Sequence, residues 1–187
     1  MRKTSALVVH GFAVTSSVFR PLLSRLRDRS LVSDLFRYPS VGLPLEEIVD
    51  RLVVRLQQAA PDALVAHSLG CFVTALAVER CGWQGRIVFM AAPLRTLPLT
   101  RLIPSGMRWP FAPLLDHRKL TSAADYRPPL LDGCRVKSIV GRCDLAVPLA
   151  CSQACCIGTT QISWHSHNSM LFSRRVAGWC ADWGLAG

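Results

Sequence analysis

The stretch Leu64 to Cys71, LVAHSLGC, constrains this chain more than any other. An apolar run, Ala63 to Ala66, meets a compact turn, His67-Ser68-Leu69-Gly70. Leu69, Phe72, Val73 and Leu76 then recur at i, i+3, i+4 and i+7, the spacing of one helical face. A strand that turns sharply into a helix, with serine at the apex, is the setting of a G-x-S-x-G-type motif. Such a turn strains the serine backbone and needs small neighbours. Here they are Ala66 and Gly70, with Ala in place of the usual first Gly. Ser68 would stand at a helix N-terminus, where free backbone N–H groups favour a developing anion. The same residues also suit a serine N-cap on an ordinary amphipathic helix, so the rest of the chain has to decide.

That chain alternates. Leu7 to Val9 is a short, wholly apolar strand of the kind buried on both faces of a parallel sheet. A helix follows over Ser17 to Arg27, with Phe19, Leu22, Leu23 and Leu26 on one face and Pro21 in its first turn. Leu31 to Phe36 is a strand, and Arg37 to Gly42 a loop. Pro44 opens a helix whose buried stripe is Leu45, Ile48, Val49, Leu52 and Leu56. After the Ser68 helix, Cys81-Gly82 marks a stop and Arg86 to Met90 a strand. Val136 to Val140 is a strand, Pro148 to Cys156 a short helix, and Gln161 to Trp164 the last strand. The last helix is predicted over Ser169 to Trp183, with Phe172, Val176, Trp179, Cys180 and Trp183 toward the core.

Strands alternating with helices imply a parallel sheet of about six strands, covered by helices on both faces. Sites in such sheets lie at the carboxyl ends of the strands. His10, Ser68, Pro93, Asp144 and His167 each follow a predicted strand closely, so they should gather on one edge. Residues 94–129 break the rhythm with six prolines among bulky apolar and basic residues, and read as an irregular, lid-like insertion. At 187 residues, with no linker and no repeat, the chain is expected to form one domain, 1–187.

The net charge of +10 raises nucleic-acid binding, but the arginines are spread along the chain with no basic block and no nucleic-acid motif. We expect no nucleic-acid partner. The charge suits a solvated surface or transient contact with a lipid surface or an acidic carrier. No apolar run reaches the roughly 18 residues of a membrane span. The opening residues contain no signal-peptide pattern, which predicts a cytoplasmic protein with free thiols at its eight cysteines. Cys151, Cys155 and Cys156 match no metal-binding spacing, so neither metal nor cofactor is expected.

A serine hydroxyl needs a base, and the base a carboxylate that holds its tautomer. His165 and His167 both lie between the last strand and the last helix. His167 is preferred because it is nearer the helix, with His165 as the alternative. Asp144 is the one carboxylate in the loop Gly141 to Val147. The oxyanion needs two backbone donors. Leu69, after the serine, is one, and Phe12 the other, with Ala13 as the substitute. His10 is expected to brace its loop, and His67 to point away from Ser68.

VVHGF (Val8 to Phe12), AHSLG (Ala66 to Gly70), GRCDLAVP (Gly141 to Pro148) and SHNSMLFS (Ser166 to Ser173) resemble, in order and spacing, the α/β-hydrolase superfamily. They are ordered and spaced as in small, single-domain bacterial lipases and esterases, HSLGC also resembles a family of very small serine hydrolases, and the likeness extends from Ala6 to Trp183. It implies a minimal α/β-hydrolase fold and an ester hydrolase with the triad Ser68, Asp144 and His167. The substrate would be a small acyl ester. An acyl thioesterase or acyltransferase would use the same triad, and a binding module of hydrolase fold would use none of it.

Overall fold

The computed structural model describes residues 4–185 apart from 105, 128, 130 and 153–158. Six strands form one parallel sheet: β1 (Ser5–Val9), β2 (Val32–Phe36), β3 (Ala63–His67), β4 (Arg86–Met90), β5 (Arg135–Gly141) and β6 (Thr159–Ser163). Their order is β2-β1-β3-β4-β5-β6. The direction of winding therefore reverses between β1 and β3, which is where sheets of this kind open a crevice at their carboxyl ends. Register aligns those ends: Val9 pairs with Phe36 and Ala66, and His67 with Met90. The loops after the strands thus emerge side by side.

The apolar alternation of the strands divides between two layers. Ala6, Val8, Val65, Val88 and Met90 pack with α1 (Arg20–Asp28) and α6 (Arg174–Leu185). Leu7, Val9, Leu64, Ala66, Ile87 and Phe89 pack with α2 (Leu45–Ala59) and α3 (Leu69–Cys81). Glu46 and Glu47 sit in the first turn of α2, where the helix dipole favours them. α3 is apolar almost all round, because α2 covers it on one side and the sheet on the other.

Two expectations need correction. The span 94–129 is not wholly irregular: a 3-10 turn, Pro98–Leu102, precedes a 14-residue helix, α4 (Arg108–Thr121). Pro110 lies in the first turn, where no helical N–H is needed, and only Pro113 removes an internal hydrogen bond. The predicted final helix is also divided. Ser169–Phe172 is a 3-10 turn and α6 starts at Arg174, so Phe172 is 51% exposed instead of facing the core. The helix after Pro148 is described over α5 (Leu149–Ser152); the rest of that predicted helix, through Cys156, lies outside the described residues.

Candidate functional site

β3 ends in a turn that only close packing can hold. Ser68 has φ 56° and ψ −133°, an unfavourable conformation for a residue with a side chain. Its backbone N–H donates to Met90 O at 2.9 Å, which ties the turn to β4. Gly70 lies so close beneath the end of β1 that a Cβ there would run into the carbonyl oxygens of His10 and Val9. A Cβ at Gly11 would lie 2.7 Å from Ser68 Cβ and 3.2 Å from its Oγ. Both glycines therefore let the loop after β1 meet the start of α3.

Ser68 Oγ is 2.8 Å from His167 Nε2, and His167 Nδ1 is 2.8 Å from Asp144 Oδ2. A carboxylate oxygen accepts, so Nδ1 carries the proton and Nε2 is the basic nitrogen facing the serine hydroxyl. The Asp144 side chain is fully buried. Its other oxygen, Oδ1, accepts the N–H groups of Ala146 at 2.9 Å and Val147 at 2.8 Å. The carboxylate is thus fixed from both sides.

The structure brings Ser68, Asp144 and His167 into one chain of contacts. His165 stands outside it, with Nδ1 2.9 Å from Ser163 Oγ. Leu69 is the first residue of α3, and Phe12 lines a cavity with Ser68 and His167. Ala13, the substitute for Phe12, has φ 51° in the same turn. That cavity has a volume of about 290 Å³, and Leu97, Leu99, Ile103, Phe111, Leu114 and Val147 make it mainly apolar. It is roofed by the span 94–129, through both the 3-10 turn and α4.

His10 braces its loop: Nδ1 donates to Gly11 O at 2.9 Å, and the ring stacks on Tyr38 with centroids 4.1 Å apart. Burial lowers its pKa. Two residues gain roles that the sequence did not assign. His67 donates Nε2–H to the backbone carbonyl of His167 at 2.9 Å, while its buried Nδ1 has no hydrogen-bond partner among the described residues. Burial, reinforced by the neighbouring His167, lowers the His67 pKa to about 3 and keeps the ring neutral. His117, buried on α4, sits 2.7 Å through Nε2 from Pro93 O and edge-on to Phe72, joining the roof to the β4 loop. Burial lowers its pKa as well. Nothing in the local pattern around either residue marked these contacts.

Among the described residues no three His, Cys, Asp or Glu side chains converge as metal ligands, and no helix is long and apolar enough to cross a membrane. Among the described cysteines, Cys81, Cys134, Cys143, Cys151 and Cys180 are free thiols.

A model of the alpha/beta hydrolase family matches residues 6–183. No curated protein matches the sequence. Among solved structures, the chain is similar to an extracellular alpha/beta-hydrolase from a Paenibacillus species, with TM-score 0.69, 16% identity, and coverage of 97% of this chain and 99% of that one. It is similar to BpoC of Mycobacterium tuberculosis H37Rv, described as a non-heme bromoperoxidase, with TM-score 0.76, 12% identity and coverage of 97% and 92%. It is also similar to RedJ, a thioesterase of prodiginine biosynthesis in Streptomyces coelicolor, with TM-score 0.62, 17% identity and coverage of 95% and 84%. At these identities the likeness is one of fold.

Proposed function

Because the chain belongs to the alpha/beta hydrolase family, we propose that it is a serine hydrolase of carboxylic esters, working through an acyl-enzyme on Ser68. The observation that carries this reading is the unbroken relay from Ser68 Oγ through His167 to Asp144, with 2.8 Å at each link. Ser68 Oγ attacks the acyl carbon while His167 Nε2 takes its proton. Asp144 holds the tautomer and stabilises the imidazolium that forms. The carbonyl oxygen becomes an oxyanion, held by the backbone N–H groups of Leu69 and Phe12. Collapse breaks the bond to the alkoxy group, which leaves with the proton from His167. Water then gives a proton to His167 and attacks the acyl carbon. A second collapse releases the acid and returns the proton to Ser68.

The apolar cavity beside Ser68 suits an acyl group, with the carbonyl at its polar end. A fluorophosphonate probe tests the reading. It should label wild type once, at Ser68, and Ser68→Ala should lose both labelling and hydrolysis of a nitrophenyl ester. Labelling that persists in Ser68→Ala would overturn it. A panel of nitrophenyl esters and acyl thioesters of graded chain length then reads the substrate class.

A further inference from the structure

The most exposed large apolar side chains among the described residues are Leu145 (88%), Leu102 (77%), Trp109 (76%) and Trp164 (74%). They come from different parts of the chain and stand on the same edge. Leu145 follows Asp144 in the loop after β5, and Trp164 follows β6 directly. Leu102 ends the 3-10 turn whose Leu99 lines the Ser68 cavity. Trp109 lies in the first turn of α4, two residues before the cavity residue Phe111, and its indole lies over Gly42 in the loop after β2. Single exposed apolar residues are ordinary. Four on the edge of the sheet where one apolar cavity lies mark a surface that meets an apolar phase.

The exposed charges in the loops of this edge have one sign; Glu46 and Glu47, in the first turn of α2 beside them, are paired with Arg80 and Arg51. Arg37, Arg95, Arg101 and Arg142 are exposed there, and none is in an ion pair among the described residues. The loops that follow the strands, residues 10–15, 37–43, 91–107, 142–148 and 164–173, contain one carboxylate, Asp144, which is buried. Four arginines elsewhere are matched: Arg29 with Asp182, Arg51 with Glu47, Arg55 with Asp34, and Arg80 with Glu46 and Asp50. The Arg142 guanidinium lies over the Trp164 ring, 4.6 Å from its centroid, so cation and anchor project together.

We propose that this edge docks on an anionic lipid surface and takes its acyl substrate from that surface into the cavity at Ser68. The side chains project outward, which suits insertion between headgroups, and tryptophan favours the membrane–water boundary. The arginines supply attraction to anionic headgroups. Delivery of substrate rests on the hydrolase reading; docking itself does not require Ser68.

Co-sedimentation of the full chain with phosphatidylcholine vesicles, with and without phosphatidylglycerol, tests this. Wild type and Ser68→Ala should bind the anionic vesicles equally well, bind the neutral ones weakly, and be released by salt. Leu102→Ser combined with Trp164→Ser should lose binding by about tenfold or more, while hydrolysis of soluble nitrophenyl acetate and the circular dichroism spectrum stay as in wild type. Arg101→Gln combined with Arg142→Gln, a second variant confined to the surface, should lose the preference for anionic vesicles. Absence of binding, equal binding to both vesicle types, or full binding by the Leu102/Trp164 variant would overturn the proposal. So would retention on a polyglutamate resin without vesicle binding, which would assign the edge to an acidic protein. Vesicle binding as expected without any esterase activity would leave docking standing and remove the hydrolase reading.

Discussion

His67 and His167 are joined by a hydrogen bond from the ring of one to the backbone carbonyl of the other, 2.9 Å long. The residue before the proposed nucleophile therefore holds the loop that carries the proposed base. His67→Leu removes the donor and should lower kcat by about ten- to a hundredfold through misplacement of His167, with KM little changed. His67→Gln retains an N–H donor and should recover part of the loss. Ester kinetics of the two variants check this, and wild-type kcat in His67→Leu would reject it.

The two loop histidines should differ sharply. His167→Ala should lower turnover by about 10⁴-fold or more, as loss of a triad member does. Asp144→Asn should also be severely impaired, because an amide cannot hold the same tautomer. His165→Ala should keep near-normal turnover, since His165 contacts Ser163 and not the relay. One ester assay across the three variants is sufficient, and a dead His165→Ala beside an active His167→Ala would reverse the assignment.

The glycines beneath the turn should separate stability from activity. Gly70→Ala presses a methyl onto backbone oxygens that cannot rotate away, and should cost about 1–3 kcal/mol in urea unfolding. Gly11→Ala pushes instead on the Ser68 side chain. Its main effect should be on kcat. A Gly11→Ala protein as active as wild type would show that the Ser68 rotamer is not critical.

Acid should destabilise the fold through its buried histidines. His10, His67 and His117 all have lowered pKa values, chiefly from burial, so their neutral forms are favoured when folded. Unfolded, each takes up a proton near pH 6.5. The stability tied to the neutral rings is present above that pH and lost as pH falls below it, because the unfolded chain then binds more protons. For His67 the loss continues toward its folded pKa of about 3. Each histidine contributes a slope of at most about 1.4 kcal/mol per pH unit. Tm should fall from pH 6.5 to 5, and His67→Gln should show a shallower fall. An unchanged slope in that variant would mean that His67 is not held neutral.

The six strands and the serine turn were legible because they rest on local periodicity: Leu7 to Val9, Ala63 to Ala66 and Arg86 to Met90 carry their burial in their own residues. Asp144 and His167 were legible because parallel topology puts every post-strand loop on one edge. α4 was hidden by its prolines, which read as breakers although one falls where the helix has no donor to lose. Phe172 was misplaced because Ser173 adopts extended backbone (φ −83°, ψ 124°) and separates the 3-10 turn from α6, a break that apolar spacing does not register. The His67 tether was beyond local pattern altogether, since it links residues 100 apart.

The separation of 99 positions between Ser68 and His167 also sets a clock. A ribosome adding roughly 5 to 20 residues per second takes about 5 to 20 s to travel from one to the other. Throughout that interval a nascent chain carries Ser68 without His167. On the proposed hydrolase reading such a chain would be inert toward the esters around it, with reactivity beginning only when β6 pairs with β5 and brings His167 to the turn.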